Sequence, residues 1–321
     1  MKYYSIIVAL LLLQLSMVCV AYEPILKDQR NIVGMEVRDP AHVDEVVGFT
    51  NTVGFRAISA EDLSEYLIAI DNRLVAAPAI GTVFFDGEVY DFTNVSGIVD
   101  AIVTITQESG YVGRLLFILD EPMWAIRQAC DGGSARACAE IADGYTATLA
   151  GFEELAVTLK ASWHDAQMYH VEAFAEFWLQ ETAMGGIKLI PSIDYVGFDC
   201  YGRFHDCGIE GLTGVGRIDQ PLAVKIVYDA AKAQASGAKV ILMAGSFTDS
   251  TFFPTEQDVI AQLDAYLALY DSSVVFGGFA ALSWSSFEEG GRAFTGARDL
   301  PGVKVWLEEH MGARSGRTQE D

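Results

Sequence analysis

The chain has 321 residues, 51% of them hydrophobic and 20% charged, with 30 Gly, 8 Pro and 5 Cys, so it is globular rather than low-complexity or disulfide-dense. Its 44 acidic residues outweigh 21 basic ones, for a net charge of −23. No basic surface is left to neutralise phosphates, which argues against a nucleic-acid partner and against adsorption to an anionic membrane.

The first predicted element is an export signal. Residues 1–21 open on Lys2, continue through an apolar run over 6–15 and end on Cys19-Val20-Ala21. This is the layout of a secretory signal peptide, and the run is too short for a permanent membrane span. Met17 and Val18 stand where a lipoprotein signal carries small residues, so acylation of Cys19 is the poorer reading. The mature chain is expected to start at Tyr22, to be secreted or periplasmic, and to make no stable membrane insertion. One domain over 22–311 and a polar, disordered tail over 312–321 are expected to follow.

Past the signal, short apolar runs alternate with longer amphipathic ones, the βα rhythm of a parallel sheet. Strands are predicted over 31–37, 54–58, 74–85, 114–119, 166–171, 195–198, 239–243 and 274–283, with Pro78 bending or breaking the third. Helices are predicted over 61–70, 96–108, 135–159, 174–182, 221–235 and 255–269, the last started by Thr255 and Asp258. Eight such units in one chain match an α/β fold of the (β/α)8 TIM-barrel kind. A doubly wound sheet would lead one to look for a Gly-rich phosphate loop after the first strand, and Glu36-Val37-Arg38-Asp39-Pro40 is not one. In a barrel, chemistry belongs where the strands end and their loops begin.

Export permits disulfides. Cys130 with Cys138 and Cys200 with Cys207 form two local pairs, expected as loop staples, with pairing between them left open. The thiols do not cluster with histidines at metal-ligand spacing. Nor do His42, His164, His170, His205 and His310 make an HxH or HExxH pattern, so neither a metal nor a cofactor is expected. His170 falls within the fifth strand as a core histidine. No Gly-x-Ser-x-Gly elbow occurs.

Several strand ends carry chemistry. The fourth runs into Leu119-Asp120-Glu121-Pro122-Met123-Trp124. A carboxyl desolvated there beside an aromatic wall has a raised pKa, as a general acid needs; the alternative is a helix cap or a salt-bridged rim. Asp199 and Tyr201 end the sixth strand, either pointing into one mouth or capping and packing a loop. Trp284 ends the eighth, as a platform for the apolar face of a sugar or as core. Glu172 follows the fifth strand, either as a second carboxylate or as the first-turn acid of the next helix. Glu36 and Arg38 end the first, where they orient a substrate group or pair with each other.

Asp120-Glu121-Pro122, the segment from Asp194 to Tyr201, and Trp284 together resemble the glycoside hydrolases of the TIM-barrel clan whose fourth strand ends in Asn-Glu-Pro. That clan's sixth strand often reads Asp-x-Val-Gly-x-His-x-Tyr, and its eighth carries a sugar-facing Trp. Here Asp120 replaces the Asn and Asp199 replaces the His. The resemblance implies Glu121 as acid/base and a carbohydrate as partner. It departs at the seventh strand, where the clan's nucleophilic Glu is missing and no carboxylate appears until Asp249. A retaining pair needs its carboxyls about 5 Å apart, so Glu172 or Asp199 would have to supply the second group. Trp124 and Trp284 would then bind sugar rings, Tyr201 would tune the second carboxylate, and Asp120, Glu36 and Arg38 would contact substrate. The alternatives are a non-catalytic carbohydrate-binding barrel and a metal-dependent hydrolase. The acidic balance either steers a cationic glycan or keeps the protein soluble. It says nothing of oligomeric state.

Overall fold

The computed structural model describes residues 31–163, 165–179, 186–200, 220–235, 237–249, 253–272 and 276–315. The signal peptide, Tyr201, Cys207, His164, His205 and the tail over 316–321 lie outside the described residues.

Strands β1 (Ile32–Glu36), β2 (Thr52–Arg56), β3 (Val75–Ala79), β4 (Leu116–Asp120), β5 (Gln167–Ala173), β6 (Tyr195–Asp199) and β7 (Lys239–Gly245) pair in parallel, each with the next in the chain. β9 (Phe276–Leu282) joins β7 to β1 and closes the barrel, with Gly34 opposite Ala280 across the seam. All eight predicted strands are present, so the chain is a (β/α)8 barrel. Side chains alternate along each strand. Val33, Val53, Phe117 and Leu119 point outward into the core shared with the helices, while Gly34, Gly54, Ile118 and Asp120 point inward.

The third strand is shorter than predicted: it stops at Ala79 and gives way to a 3-10 turn over Gly81–Phe84. Pro78 explains its loose pairing. The amides of Ala76 and Ile80 donate to the carbonyls of Arg114 and Ile118 on the β4 side, and Pro78, between them, has no N–H to continue the ladder.

The helices follow their apolar spacing. Val95–Glu108 buries Val95, Val99, Ile102 and Thr106 along one face. Thr255 and Asp258 form a reciprocal capping box at the start of Glu256–Asp271. The single helix predicted over 135–159 is instead two, Ala135–Ala142 and Thr146–Ser162. Gly144 and Tyr145 both take positive φ between them, which ends a helix and which only glycine adopts without cost. A helix not predicted, Pro122–Asp131, follows β4 directly. It is tied to the start of the next helix by Cys130–Cys138, the one predicted staple with both ends among the described residues. Cys200 is also disulfide-bonded.

Three short strands missed by the periodicity form an antiparallel sheet: β8 (Phe247–Thr248), β10 (Phe287–Glu289) and β11 (Arg292–Gly296), in the order β10-β11-β8. They follow β7 and β9 and so belong to the end of the barrel where chemistry is expected. The last helix, Pro301–Gly312, buries Val303, Trp306, Leu307 and Met311, and the turn after it buries Ser315. No helix among the described residues is long and apolar enough to cross a membrane.

Candidate active site

A cavity of about 650 Å³ opens at the C-terminal ends of the strands and continues into the barrel. Glu36, Arg38, Asp120, Glu121 and Asp199 all line it, so five residues singled out from three separate strand ends share one mouth.

Glu121 is placed by an abrupt connection. β4 ends at Asp120, and Pro122 already occupies the first turn of the next helix, which leaves Glu121 alone to reverse the chain. Its backbone is left-handed, φ 46° and ψ 46°, a conformation that costs a non-glycine residue of order 1 kcal/mol and clusters at functional sites. Two hydrogen bonds hold it there: its N–H donates to the Val171 carbonyl at 2.9 Å, and its carbonyl accepts from Ala125 at 2.9 Å.

The Glu121 carboxyl shares a side-chain hydrogen bond with Asp199. Two carboxyls can bond only if they hold a proton between them. Burial pushes Glu121 up to about 8, helped by the charges of Asp120 and Glu172 and opposed by the bond to Asp199 and by Arg56. Asp120 is also raised, by burial, against the pull of Arg56 and Arg38. Both shifts favour a protonated carboxyl in this mouth near neutral pH, the state that general-acid chemistry requires.

A second cluster faces the first from β1, β2 and the small sheet. Arg38 Nε donates to Glu36 Oε1 at 3.1 Å, and its guanidinium lies 3.5 Å from the Phe287 ring centroid. Arg56 meets Glu289 at 2.7 Å and Glu36 at 4.0 Å. Burial raises Glu36 despite Arg38 and Arg56, and its Oε2 is buried with no hydrogen-bond partner among the described residues. Of the two alternatives for Glu36 and Arg38, their pairing with each other is present.

The remaining predicted residues lie elsewhere. Glu172 is fully buried and does not line the cavity. It caps the helix after β4: Oε2 accepts from Met123 N–H at 2.8 Å, and Oε1 from Trp124 and Ala173 N–H at 3.1 Å each. Burial and Glu176 raise its pKa well above the usual range, and the three amides oppose them. His170, buried beside it at 3.3 Å, is pushed down to about 3 by burial. Glu176 in turn is ion-paired with Arg127. Trp124 sits on the first turn of its helix, partly exposed, and is not on the cavity wall.

Trp284 does not face a sugar site. It is 0% exposed, its ring packs on Phe49 with centroids 5.4 Å apart, and its Nε1 donates to Glu45 at 3.0 Å. The strand ends early at Leu282, so the chain has already turned outward by residue 284. Asp249, the first carboxylate after β7, is likewise committed: it is ion-paired with Arg292 and accepts the Phe253 N–H at 3.1 Å. No group of three His, Cys, Asp or Glu among the described residues is arranged to hold a metal ion.

Sequence reasoning missed Arg56, Tyr169, Phe287, Glu289 and Arg292, all of which line the cavity. Arg56 ends β2 on the inward-facing parity, a signal the strand register could have exposed; the others depend on the small sheet or on depth within the barrel.

Among solved structures, the fold is similar to β-glucuronidases. A Bacteroides uniformis enzyme superposes with TM-score 0.53 at 13% identity, covering 82% of this chain and 32% of that one. A calcium-binding mutant of B. uniformis β-glucuronidase 2 gives 0.55 at 13% identity, over 87% and 34%. The Ruminococcus gnavus enzyme solved with D-glucuronic acid gives 0.51 at 12% identity, over 88% and 49%. The chain thus spans about a third to a half of the length of these proteins, and the likeness is one of fold. No family model matches the sequence, and no curated protein is similar to it.

Proposed function

We propose that the protein is an exported glycoside hydrolase acting on a poly- or oligosaccharide, with Glu121 as general acid and Asp199 as the second carboxylate. The observation that carries this reading is the placement of Glu121 and Asp199 together on the cavity wall, with the Glu121 carboxyl pushed up to about 8. Glu121 delivers the proton to the leaving glycosidic oxygen. As the bond from the anomeric carbon to that oxygen breaks, Asp199 either attacks the anomeric carbon as nucleophile or, as base, takes a proton from the water that attacks it. Asp120, Glu36 and Arg38 bind substrate hydroxyls. Glu172 is a positioning residue: by capping the helix after β4 it fixes the turn on which Glu121 stands. The likeness in fold to β-glucuronidases supports a carbohydrate substrate and puts glucuronides on the panel to be tried.

The test is sugar release from a broad glycan panel by the mature chain, starting at Tyr22, beside Glu121→Gln and Asp199→Asn. Release by the parent and by neither variant is the expected result. A second reading, a barrel that binds carbohydrate without cleaving it, is favoured by the committed state of Asp249 and the lack of another carboxylate from β7 on the cavity wall. Glycan binding by all three proteins with no release would establish that reading instead.

A further inference from the structure

The chain has 21 basic residues against 44 acidic ones, yet Arg38, Arg56 and Arg292 all line the cavity. Arg292 is held by Asp249. Arg38 and Arg56 stand on the inward parity of neighbouring parallel strands, Arg38 two residues beyond Glu36 at the end of β1 and Arg56 at the end of β2.

A guanidinium carries five N–H donors, and each of these two makes one hydrogen bond. Arg38 Nε donates to Glu36 Oε1 at 3.1 Å, and Arg56 Nη1 to Glu289 Oε1 at 2.7 Å. The next approaches, Arg38 Nη1 to Glu289 Oε2 at 3.8 Å and Arg56 Nε to Glu36 Oε1 at 4.0 Å, are too long to be hydrogen bonds. Neither side chain finds a further acceptor among the described residues. The spare donors are reachable. The Arg56 side chain is 41% exposed and that of Arg38 14%, and no Arg38 nitrogen is both buried and unpaired. Arg38 is also fixed in direction, since its guanidinium lies on Phe287, which stacks on Phe294 at 4.5 Å.

A carboxylate already sits between the two arginines, and it belongs to the protein. Glu289 turns one oxygen toward Arg56 and the other toward Arg38. Against the effect of burial, these arginines hold it below the usual carboxylate range. Burial raises Glu36 and Asp120 despite the same two arginines. The two guanidinium charges thus face one carboxylate that favours its ionised form and two that resist it. Glu289 is also easily withdrawn. It stands at the tip of the β10–β11 hairpin, beside Gly290, with its side chain 49% exposed, so rotation about its own bonds is enough to clear both arginines.

We infer that Arg38 and Arg56 form a subsite for the carboxylate of an acidic sugar, which takes the place that Glu289 holds in the free protein. The inference rests on the carbohydrate reading of the cavity and names its substrate class, a glycan that contains a sugar acid. Arg38 then holds a carboxylate rather than a hydroxyl. Planar guanidinium forks suit the two oxygens of a carboxylate better than any neutral substituent.

The probes are D-glucuronate and D-galacturonate, their neutral counterparts D-glucose and D-galactose, and glucose 6-sulfate. Binding to the mature chain is followed by calorimetry and ligand-observed NMR at pH 7 and low salt, with Arg38→Gln, Arg56→Gln and Glu289→Gln as variants. The parent should bind at least one acid about tenfold more tightly than its neutral counterpart, as hydrogen bonds between charged groups require. Arg38→Gln and Arg56→Gln should each bring the acid down to about the level of the neutral sugar. Glu289→Gln should raise the acid's affinity a few-fold, because the competing carboxylate is gone. Glucose 6-sulfate, whose anion stands further from the ring, should bind more weakly than the acid. If Arg38→Gln fails to fold once Phe287 is uncovered, Arg56→Gln and Glu289→Gln still decide. A parent that binds neither acid better than its neutral counterpart overturns the inference, as does a preference that survives in Arg56→Gln. Weaker acid binding by Glu289→Gln would overturn the exchange, and tighter binding of the sulfate would overturn the choice of a sugar acid. Binding and cleavage fail separately here. A chain that binds a sugar acid yet releases nothing from the glycan panel keeps this subsite and loses the hydrolase reading, while one that releases neutral sugars and binds no acid does the reverse.

Discussion

Replacing Glu121 by Gln keeps its shape and removes its titration, so the pair of proteins isolates the energy stored in that carboxyl. In the folded chain Glu121 is pushed up to about 8 from an ordinary 4.5. A carboxyl with a raised folded pKa binds its proton more tightly when folded, so its stabilising contribution is complete below pH 4.5 and is lost as pH rises through about 8. At about 1.4 kcal/mol per pH unit, the full loss is about 5 kcal/mol, of which about 3 has gone by pH 7. Glutamine pays none of it. Urea unfolding of the parent and Glu121→Gln from pH 4.5 to 9 should show the variant gaining on the parent by about 5 kcal/mol, nearly all of it between pH 5 and 8. Asp120 and Glu172 also titrate, but both proteins retain them, so most of their effect cancels in the difference. A difference that stays flat across that range would mean that Glu121 ionises like an exposed glutamate. The general-acid assignment would then lose its physical basis, whatever the activity of the variant.

Other substitutions separate function from structure. Glu172→Ala leaves the amides of Met123, Trp124 and Ala173 without their acceptor, and should lower unfolding free energy by about 2–4 kcal/mol in urea melts; a loss of sugar release with no loss of stability would make it a catalytic group instead. Trp284→Ala should cost about 3–5 kcal/mol in the same assay and leave glycan affinity unchanged, since the ring is enclosed by Phe49 and Glu45. Weakened glycan binding by a normally stable Trp284→Ala protein would return that ring to the substrate. Asp199→Asn should abolish release while retaining the parent's cooperative melt, because its neutral amide still accepts a hydrogen bond from Glu121.

The barrel was legible because apolar runs and amphipathic stretches alternate at the βα period, and all eight strands rest on that signal. The carboxylates were legible for the same reason, since a strand's end is visible once its apolar run is. What the periodicity could not show has local physical causes. Two residues of positive φ split one long helical pattern at Gly144 and Tyr145. Strands as short as Phe247–Thr248 carry no period at all. Trp284 was placed by counting from a strand predicted to run through Ser283, but the strand ends at Leu282, and the chain turns the ring into the core. Glu172 was placed near a strand end, where a catalytic acid would stand, but it alternates with the cavity-lining Tyr169 and Val171 and so faces away; its partners, three backbone amides, are invisible in the sequence because any residue supplies an amide.

The seventh strand shows why the motif resemblance does not carry the clan's mechanism with it. Gly245 ends β7, and a Cβ placed there would stand 2.6 Å from the Phe253 ring. Its N–H is already taken by Gln262 Oε1 at 2.8 Å. The position is closed to any side chain unless Phe253, fully buried against Phe247, moves. The nearest carboxylate, Asp249, is held by Arg292 and the Phe253 amide, and is part of what keeps Phe253 in that place. Strand, glycine, ring and ion pair thus form one packed unit that leaves no room for a seventh-strand nucleophile. Under the reading proposed above, two-carboxylate chemistry comes from Glu121 and Asp199, which would have to part for a glycosidic bond to enter between them. Asp249→Asn puts this to a direct test: the amide still accepts the Phe253 N–H, and sugar release should survive at a level that Asp199→Asn does not reach. Release lost in Asp249→Asn, with an unchanged melt, would return the nucleophile to the seventh strand and refute the assignment to the sixth.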